Sequence, residues 1–443
     1  MSNIIEQPRY VCALGAQQTV LAIKNAIPIT HAGPGCSSKM YQALVTHSGY
    51  QGQGYAGGSA IPSTNSSEKE VVFGGEDKLK DTIDGALKVM KGDIFVVLTG
   101  CTADIVGDDV DQVVSEYRQQ GIPIANVATG GFSGSNYKGH ELVIKSIVNQ
   151  LVGNVKPNIR KGLVNVFSVL PYQDTYWRAD LEAIRTLLEK IGLDVNILFG
   201  HYSKGIEEWR EIPNAEFNLV ISPWAGLDIA KFLENKYGTP YLHYPTLPIG
   251  AVETSRFLQT VGTFAKLEKQ KIDKFIKEEE ERFYDYLQST IDFLTENRCT
   301  FPNKFYTIAD SIYSLGITRF LVNELGLTPN VQYVIENPSE KYLDFIEKEF
   351  KNLSEDFEVK VSFENDGGKI HTEILERYHK PKGTLILGSS WEKSLADEIK
   401  GILLYVSLPI NHKIVVNKTY VGYDGGLNLV EDIYSKVVEG TVR

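Results

Sequence analysis

Cysteine and methionine are scarce here, with four cysteines and three methionines in 443 residues. So few thiols exclude a disulfide framework in a chain of this size. No C-x-x-C pair is present and no histidine recurs at ligand spacing, so a structural zinc site built from close ligand pairs is not expected. No stretch reaches the ~18 consecutive apolar residues of a membrane span. Residues 1–9 lack a basic-then-apolar signal pattern, so the chain is expected to be soluble and cytoplasmic, with no membrane partner. The glycine-lysine phosphate loop of ATPases is missing, so the chain itself is not expected to hydrolyse ATP. Neither a G-x-S-x-G nucleophile elbow nor an H-E-x-x-H zinc motif occurs. Basic charge is also in deficit: the net charge of −11 repels phosphate backbones and argues against a nucleic-acid partner.

What is present is a long series of short apolar runs alternating with helical stretches. The run DIFVVLT (residues 93–99) is continuously apolar, as a parallel strand buried on both faces should be. Further strands are expected at residues 26–30, 122–127, 163–170, 194–199, 218–222, 241–244, 305–308, 331–335 and 384–387. Helices are expected at about 77–90, 108–119 and 176–191. This alternation implies α/β architecture with parallel sheets covered by helices. Two seams divide the chain. One is the polar, proline-bearing segment near residues 154–161. The other is the charged stretch 266–298, whose Ile272, Phe275, Phe283 and Leu287 recur on a helical period and mark a bridging helix. Three units follow: residues 1–158, 159–298 and 299–443.

Three of the four cysteines lie in the first unit. Cys36 ends His31-Ala32-Gly33-Pro34-Gly35-Cys36, directly after a strand. Cys101 lies in Thr99-Gly100-Cys101-Thr102-Ala103-Asp104, again directly after a strand and ahead of the helix-initiating Gly107-Asp108-Asp109. Cys12 precedes Gly15 and a short helix. Parallel sheets collect ligands at the carboxyl ends of their strands, so Cys36 and Cys101 are expected to converge. Thiolates suit iron clusters or zinc, whereas a buried cysteine can also serve as a small apolar residue. The residues alone leave both readings open. Cys299, isolated among polar residues, reads as a buried thiol. The loop Thr129-Gly130-Gly131-Phe132-Ser133-Gly134 also follows a strand and is a candidate ligand cradle. His31 is a candidate hydrogen-bond donor behind the cysteines or an ordinary core histidine.

Taken together, IPITHAGPGC (residues 27–36), EKEVVFGGEDKLKDTIDGAL (68–87) and VVLTGCTADIVGDDV (96–110) resemble the nitrogenase component 1 superfamily in order and spacing. LILGSSW (385–391), SLPI (407–410) and VGYDGGLNLV (421–430) resemble the tail of its β subunits. The resemblance covers nearly the whole chain and implies three Rossmann-like parallel-sheet domains. Nitrogenase α subunits hold the active-site cofactor partly through a middle-domain cysteine. In this chain Ser222 of NLVISPW (218–224) stands near that position, and PIGAVETSRFL (248–258) is similar to the β subunit. The resemblance therefore implies a β-like subunit that does not itself hold the active-site cofactor.

The resemblance further implies that Cys36 and Cys101 are cluster ligands. Cys12 matches a ligand position of α-type subunits and of the cluster-binding subunit of protochlorophyllide reductase. The implied metal ligands are Cys12, Cys36 and Cys101, with Gly35, Gly100 and Gly131 lining the cofactor. The implied cofactor is an iron–sulfur cluster, either 4Fe–4S or a P-cluster-like 8Fe–7S cluster. The implied partners are an α-like subunit, in an α2β2 heterotetramer, and an ATP-dependent homodimeric iron–sulfur reductase. The implied function is electron relay to a metallocluster or substrate site in the α-like partner. Substrates within the superfamily include dinitrogen, methylthio-alkanes and tetrapyrroles. The alternative is a scaffold subunit for maturation of a nitrogenase-type cofactor.

Overall fold

The computed structural model describes residues 12–296, 302–355, 358–377 and 384–441, with only the backbone at residues 12, 46, 295, 440 and 441. The expectations for residues 1–9, for the Cys12 side chain, for Cys299 and for the unit boundary at 298/299 fall outside the described residues. Among the described residues the strands form three sheets, one after another along the chain. The first contains β1 (Ala26–His31), β2 (Ile94–Thr99) and β3 (Ile124–Val127). The second contains β4 (Arg160–Phe167), β5 (Asp194–Asn196), β6 (Ala215–Ile221) and β7 (Tyr241–Tyr244), in the order β5-β4-β6-β7. The third contains β8 (Lys304–Ala309), β9 (Thr328–Pro329), β10 (Gln332–Val334), β11 (Val361–Phe363), β12 (Leu385–Gly388) and β13 (Ile402–Tyr405). Its order is β11-β10-β8-β12-β13, with β9 on β8. Every strand pair in these sheets is parallel.

The reason for the apolar run at β2 is visible in its packing. All six of its residues are buried, because it lies between β1 and β3 with helices on both faces. Register then sets the geometry that matters for function. His31 pairs with Thr99 and Leu98 with Val127, so the three strands end level with one another.

The charged stretch forms one 28-residue helix, Lys269–Glu296. Ile272, Ile276, Phe283 and Leu287 are buried along one face. The opposite face carries Lys274–Glu278 and Lys277–Glu281 ion pairs one turn apart. This helix packs on Gly250–Phe264 and on the final helix, Gly422–Thr441. The segment after β13 returns to the first unit, where Ile410 N donates to His47 O at 2.7 Å and Gly49 N to Ile410 O at 2.9 Å. Among the described residues no helix is long and apolar enough to cross a membrane.

Candidate metal centre

Each strand of the first sheet ends in a turn that carries one part of the site. After β1, Gly33 caps the helix Pro34–Gln42, with proline in its first turn. Cys36 is the third residue of that helix. After β2, Gly100 caps the short helix Cys101–Val106, and Cys101 is its first residue. Both thiols thus occupy first helical turns, where unpaired amides favour negative charge. The short helix was not legible in the sequence, which suggested only the next one, Val110–Gln119. Asp109 caps that next helix by accepting from Gln112 N at 2.9 Å.

The two thiols converge. A side chain at Gly100 would place its Cβ 2.5 Å from Ala32 Cβ and 3.3 Å from Cys36 Sγ, so only glycine lets the β1 and β2 turns approach this closely. The Gly100 amide donates to His31 O at 2.9 Å, locking the two turns together. The Cys36 thiol is pushed above its ordinary pKa by burial first and by the Cys101 charge second, with Lys39 pulling the other way. Both cysteines are only partly buried.

The turn after β3 completes the arrangement. The Gly131 amide donates to Cys101 Sγ at 3.0 Å. Gly35, by contrast, faces open space next to Cys36. Cys12 opens the helix Cys12–Ala22, rather than preceding it as the sequence suggested. That helix reaches the site through Gln17, whose Nε2 donates to Cys36 O at 3.4 Å. Among the described residues no three His, Cys, Asp or Glu side chains gather to hold a metal ion.

His31 does not reach the thiols. It is fully buried, with Nδ1 3.2 Å from Thr64 Oγ1 and Nε2 2.9 Å from Asp108 Oδ2. Asp108 Oδ1 accepts the Gly75 amide at 2.8 Å. The histidine therefore ties β1 to the turns at Gly75 and Asp108. Sequence reasoning missed Asp104 and Asp108, because their partners lie far away along the chain and carry no local signal.

Apolar side chains stand exposed around the thiols. Ile105 is 73% exposed, Phe132 64%, Val72 70% and Phe73 81%. Ile105 shares the Cys101 helix, Phe132 follows Gly131, and the helix Glu68–Phe73 packs against Cys101–Val106. A cluster of large exposed apolar side chains marks an interaction surface.

The end of β6 is built differently. Ser222 accepts from Trp224 N at 3.3 Å. The Trp224 ring stacks on Tyr137, with centroids 5.0 Å apart, and lies 5.9 Å from Tyr342. Its indole donates to Glu336 at 3.1 Å. Aromatic side chains occupy the crevice beyond this strand.

A model of the nitrogenase component 1 type oxidoreductases matches residues 12–438. The chain belongs to this family. The nitrogenase molybdenum-iron protein β chain of Methanococcus maripaludis is 25% identical, covering 96% of this chain and 92% of its own. The corresponding α chain of Methanothermobacter thermautotrophicus is also 25% identical, over 96% of this chain and 87% of its own. The β chain of Azotobacter vinelandii is 22% identical over 96% of this chain. Identity therefore does not separate the two subunit types. Among solved structures, nitrogenase Cp1 at pH 6.5 superposes with a TM-score of 0.76 at 22% identity, covering 99% of this chain and 94% of its own. That likeness bears out the parallel-sheet α/β architecture expected for the nitrogenase component 1 fold.

Proposed function

We propose that this nitrogenase-family chain is a β-like subunit of a nitrogenase-like, ATP-dependent reductase, and that Cys36 and Cys101 hold an iron–sulfur cluster shared with an α-like partner. The observation that carries this reading is the convergence of two thiols at adjacent strand ends, with the Gly131 N–H on one sulfur. Thiolates with backbone N–H donors suit iron–sulfur ligation. Two thiols are too few for a cluster, so further ligands come from Cys12, from the partner, or from both. The half-buried cysteines and the exposed Ile105, Phe132, Val72 and Phe73 support an arrangement in which partner chains cover this face. When bound, the cluster supplies one-electron relay. The chain's own contribution is to orient the thiolates, exclude water and offer N–H groups to sulfur, with Gly100 and Gly131 lining the site and Gly35 at its open edge.

In this reading an ATP-dependent homodimeric iron–sulfur reductase delivers the electrons, and an α2β2 heterotetramer receives them. Trp224 and Tyr137 packed at the end of β6 favour a chain that leaves the substrate site to its partner. The division into units 1–158, 159–298 and 299–443 belongs to the same proposal, with the cluster in the first.

Iron and sulfide analysis with EPR on the purified complex tests the reading. About four irons per interface identify a 4Fe–4S cluster, and about eight a P-cluster-like one. Cys36→Ala and Cys101→Ala should each lose most of the iron and the brown colour. Full iron retention in both variants refutes the assignment. Sustained turnover with reductase and ATP separates an enzyme from a maturation scaffold.

A further inference from the structure

The carboxylate of Asp104 lies one helical turn beyond Cys101, on the same short helix. Its Oδ2 accepts the Gly130 amide at 2.8 Å. The next amide along, that of Gly131, donates to Cys101 Sγ at 3.0 Å. The carboxylate needs unusual closeness for this. A Cβ at Gly130 would stand 2.3 Å from Asp104 Oδ2 and 3.0 Å from the Phe132 ring. On the other side of Gly130, the loop is tied to the end of β2. The Thr129 amide donates to Thr99 Oγ1 at 3.0 Å, and Thr129 Oγ1 donates to Thr99 O at 2.7 Å. Three consecutive residues, Thr129, Gly130 and Gly131, thus bond in turn to Thr99, Asp104 and Cys101.

We propose that Asp104 is a positioning residue that aims the Gly131 N–H at the Cys101 sulfur and, through that bond and its own charge, sets the redox poise of the cluster. This rests on the reading of Cys101 as an iron–sulfur ligand. The two effects oppose each other. An N–H bond to sulfur stabilises the more negative, reduced state and raises the potential. A nearby carboxylate destabilises that state and lowers it. The anchoring role and the charge are separable, because an asparagine oxygen can still accept from the Gly130 amide.

The test is a redox titration of the purified complex, followed by EPR, for wild type, Asp104→Asn and Asp104→Ala, with iron content measured on each. D104N, which keeps the anchor and loses the charge, is expected to titrate above wild type. D104A, which loses both, is expected to titrate below D104N and to lose the exchangeable proton coupling that ENDOR detects at the cluster. Coincident D104N and D104A potentials at equal iron content overturn the proposal. Should D104A fail to load iron, D104N against wild type carries the comparison: a raised potential at equal iron content supports the proposal and an unchanged one overturns it. A wild-type complex without iron removes the functional reading, and this inference with it. An iron-loaded wild type whose variants titrate together removes this inference alone.

Discussion

His31 Nε2 and Asp108 Oδ2 stand 2.9 Å apart, both buried, and join the end of β1 to the turn before the helix Val110–Gln119. The pair sits behind the thiols and touches neither. Its work is structural: the same carboxylate also holds the Gly75 amide, which starts the helix Glu76–Val89. Asp108→Ala leaves the imidazole nitrogen and the amide without partners. The expected cost is about 1–3 kcal/mol, the usual penalty for orphaned buried polar groups. Denaturant unfolding of the variant measures it. A change within about 0.5 kcal/mol, as for an ordinary surface substitution, contradicts this role.

Gly100→Ala probes the approach of the two thiol-bearing turns. The added methyl meets Ala32 Cβ at 2.5 Å and the Cys36 sulfur at 3.3 Å. Overpacking of this kind costs about 1–3 kcal/mol. The clash falls at the site, so the variant should also bind less iron than wild type while keeping its far-UV spectrum. Normal iron content and unchanged stability together would show that the β1 and β2 turns have more freedom than the geometry allows.

Much of this arrangement was legible in the sequence. Continuous apolar runs located β2 and its neighbours, because burial on both faces of a parallel sheet leaves no polar positions to confuse the period. The same logic brought Cys36 and Cys101 to one edge. What the sequence did not disclose were contacts made across the fold. Nothing local to Asp104 points to Gly130, and nothing local to His31 points to Asp108. The six-residue helix at Cys101 was too short to show a period. The edge strand Val361–Phe363 was missed because Val-Ser-Phe is too short to show an alternation and all three residues are only half-buried.

The long helix offers a test of the bridging role assigned to its charged segment. Phe283 is fully buried between this helix and its neighbours, whereas Lys274 faces solvent. Phe283→Ala should cost on the order of 3–5 kcal/mol through the cavity it leaves. Lys274→Ala should stay within about 0.5 kcal/mol, since exposed ion pairs contribute little. Thermal or denaturant unfolding compares the two directly. Equal costs would mean that the helix is not seated by its apolar stripe.

Glu336 makes a prediction about pH. It lies fully buried beyond β10, accepting from the Trp224 indole and from the Ser311 amide. Asp310 and Asp174 share its surroundings, and among the described residues neither Glu336 nor Asp174 pairs with a lysine, arginine or histidine. Burial, reinforced by the Asp310 charge, raises the Glu336 carboxyl to about 7. A carboxyl whose pKa is higher in the folded state holds its proton longer there than in the unfolded chain. Its contribution to stability is therefore intact below the ordinary carboxyl pKa and declines as pH rises toward about 7. Glu336→Gln keeps an oxygen for Trp224 and Ser311 and has no proton to lose. Relative to wild type, it should gain stability progressively as pH rises from about 5 to about 8. Unfolding free energies of the two proteins across that range measure the gain directly. A difference between them that stays constant with pH would show that Glu336 titrates as an ordinary solvated carboxyl.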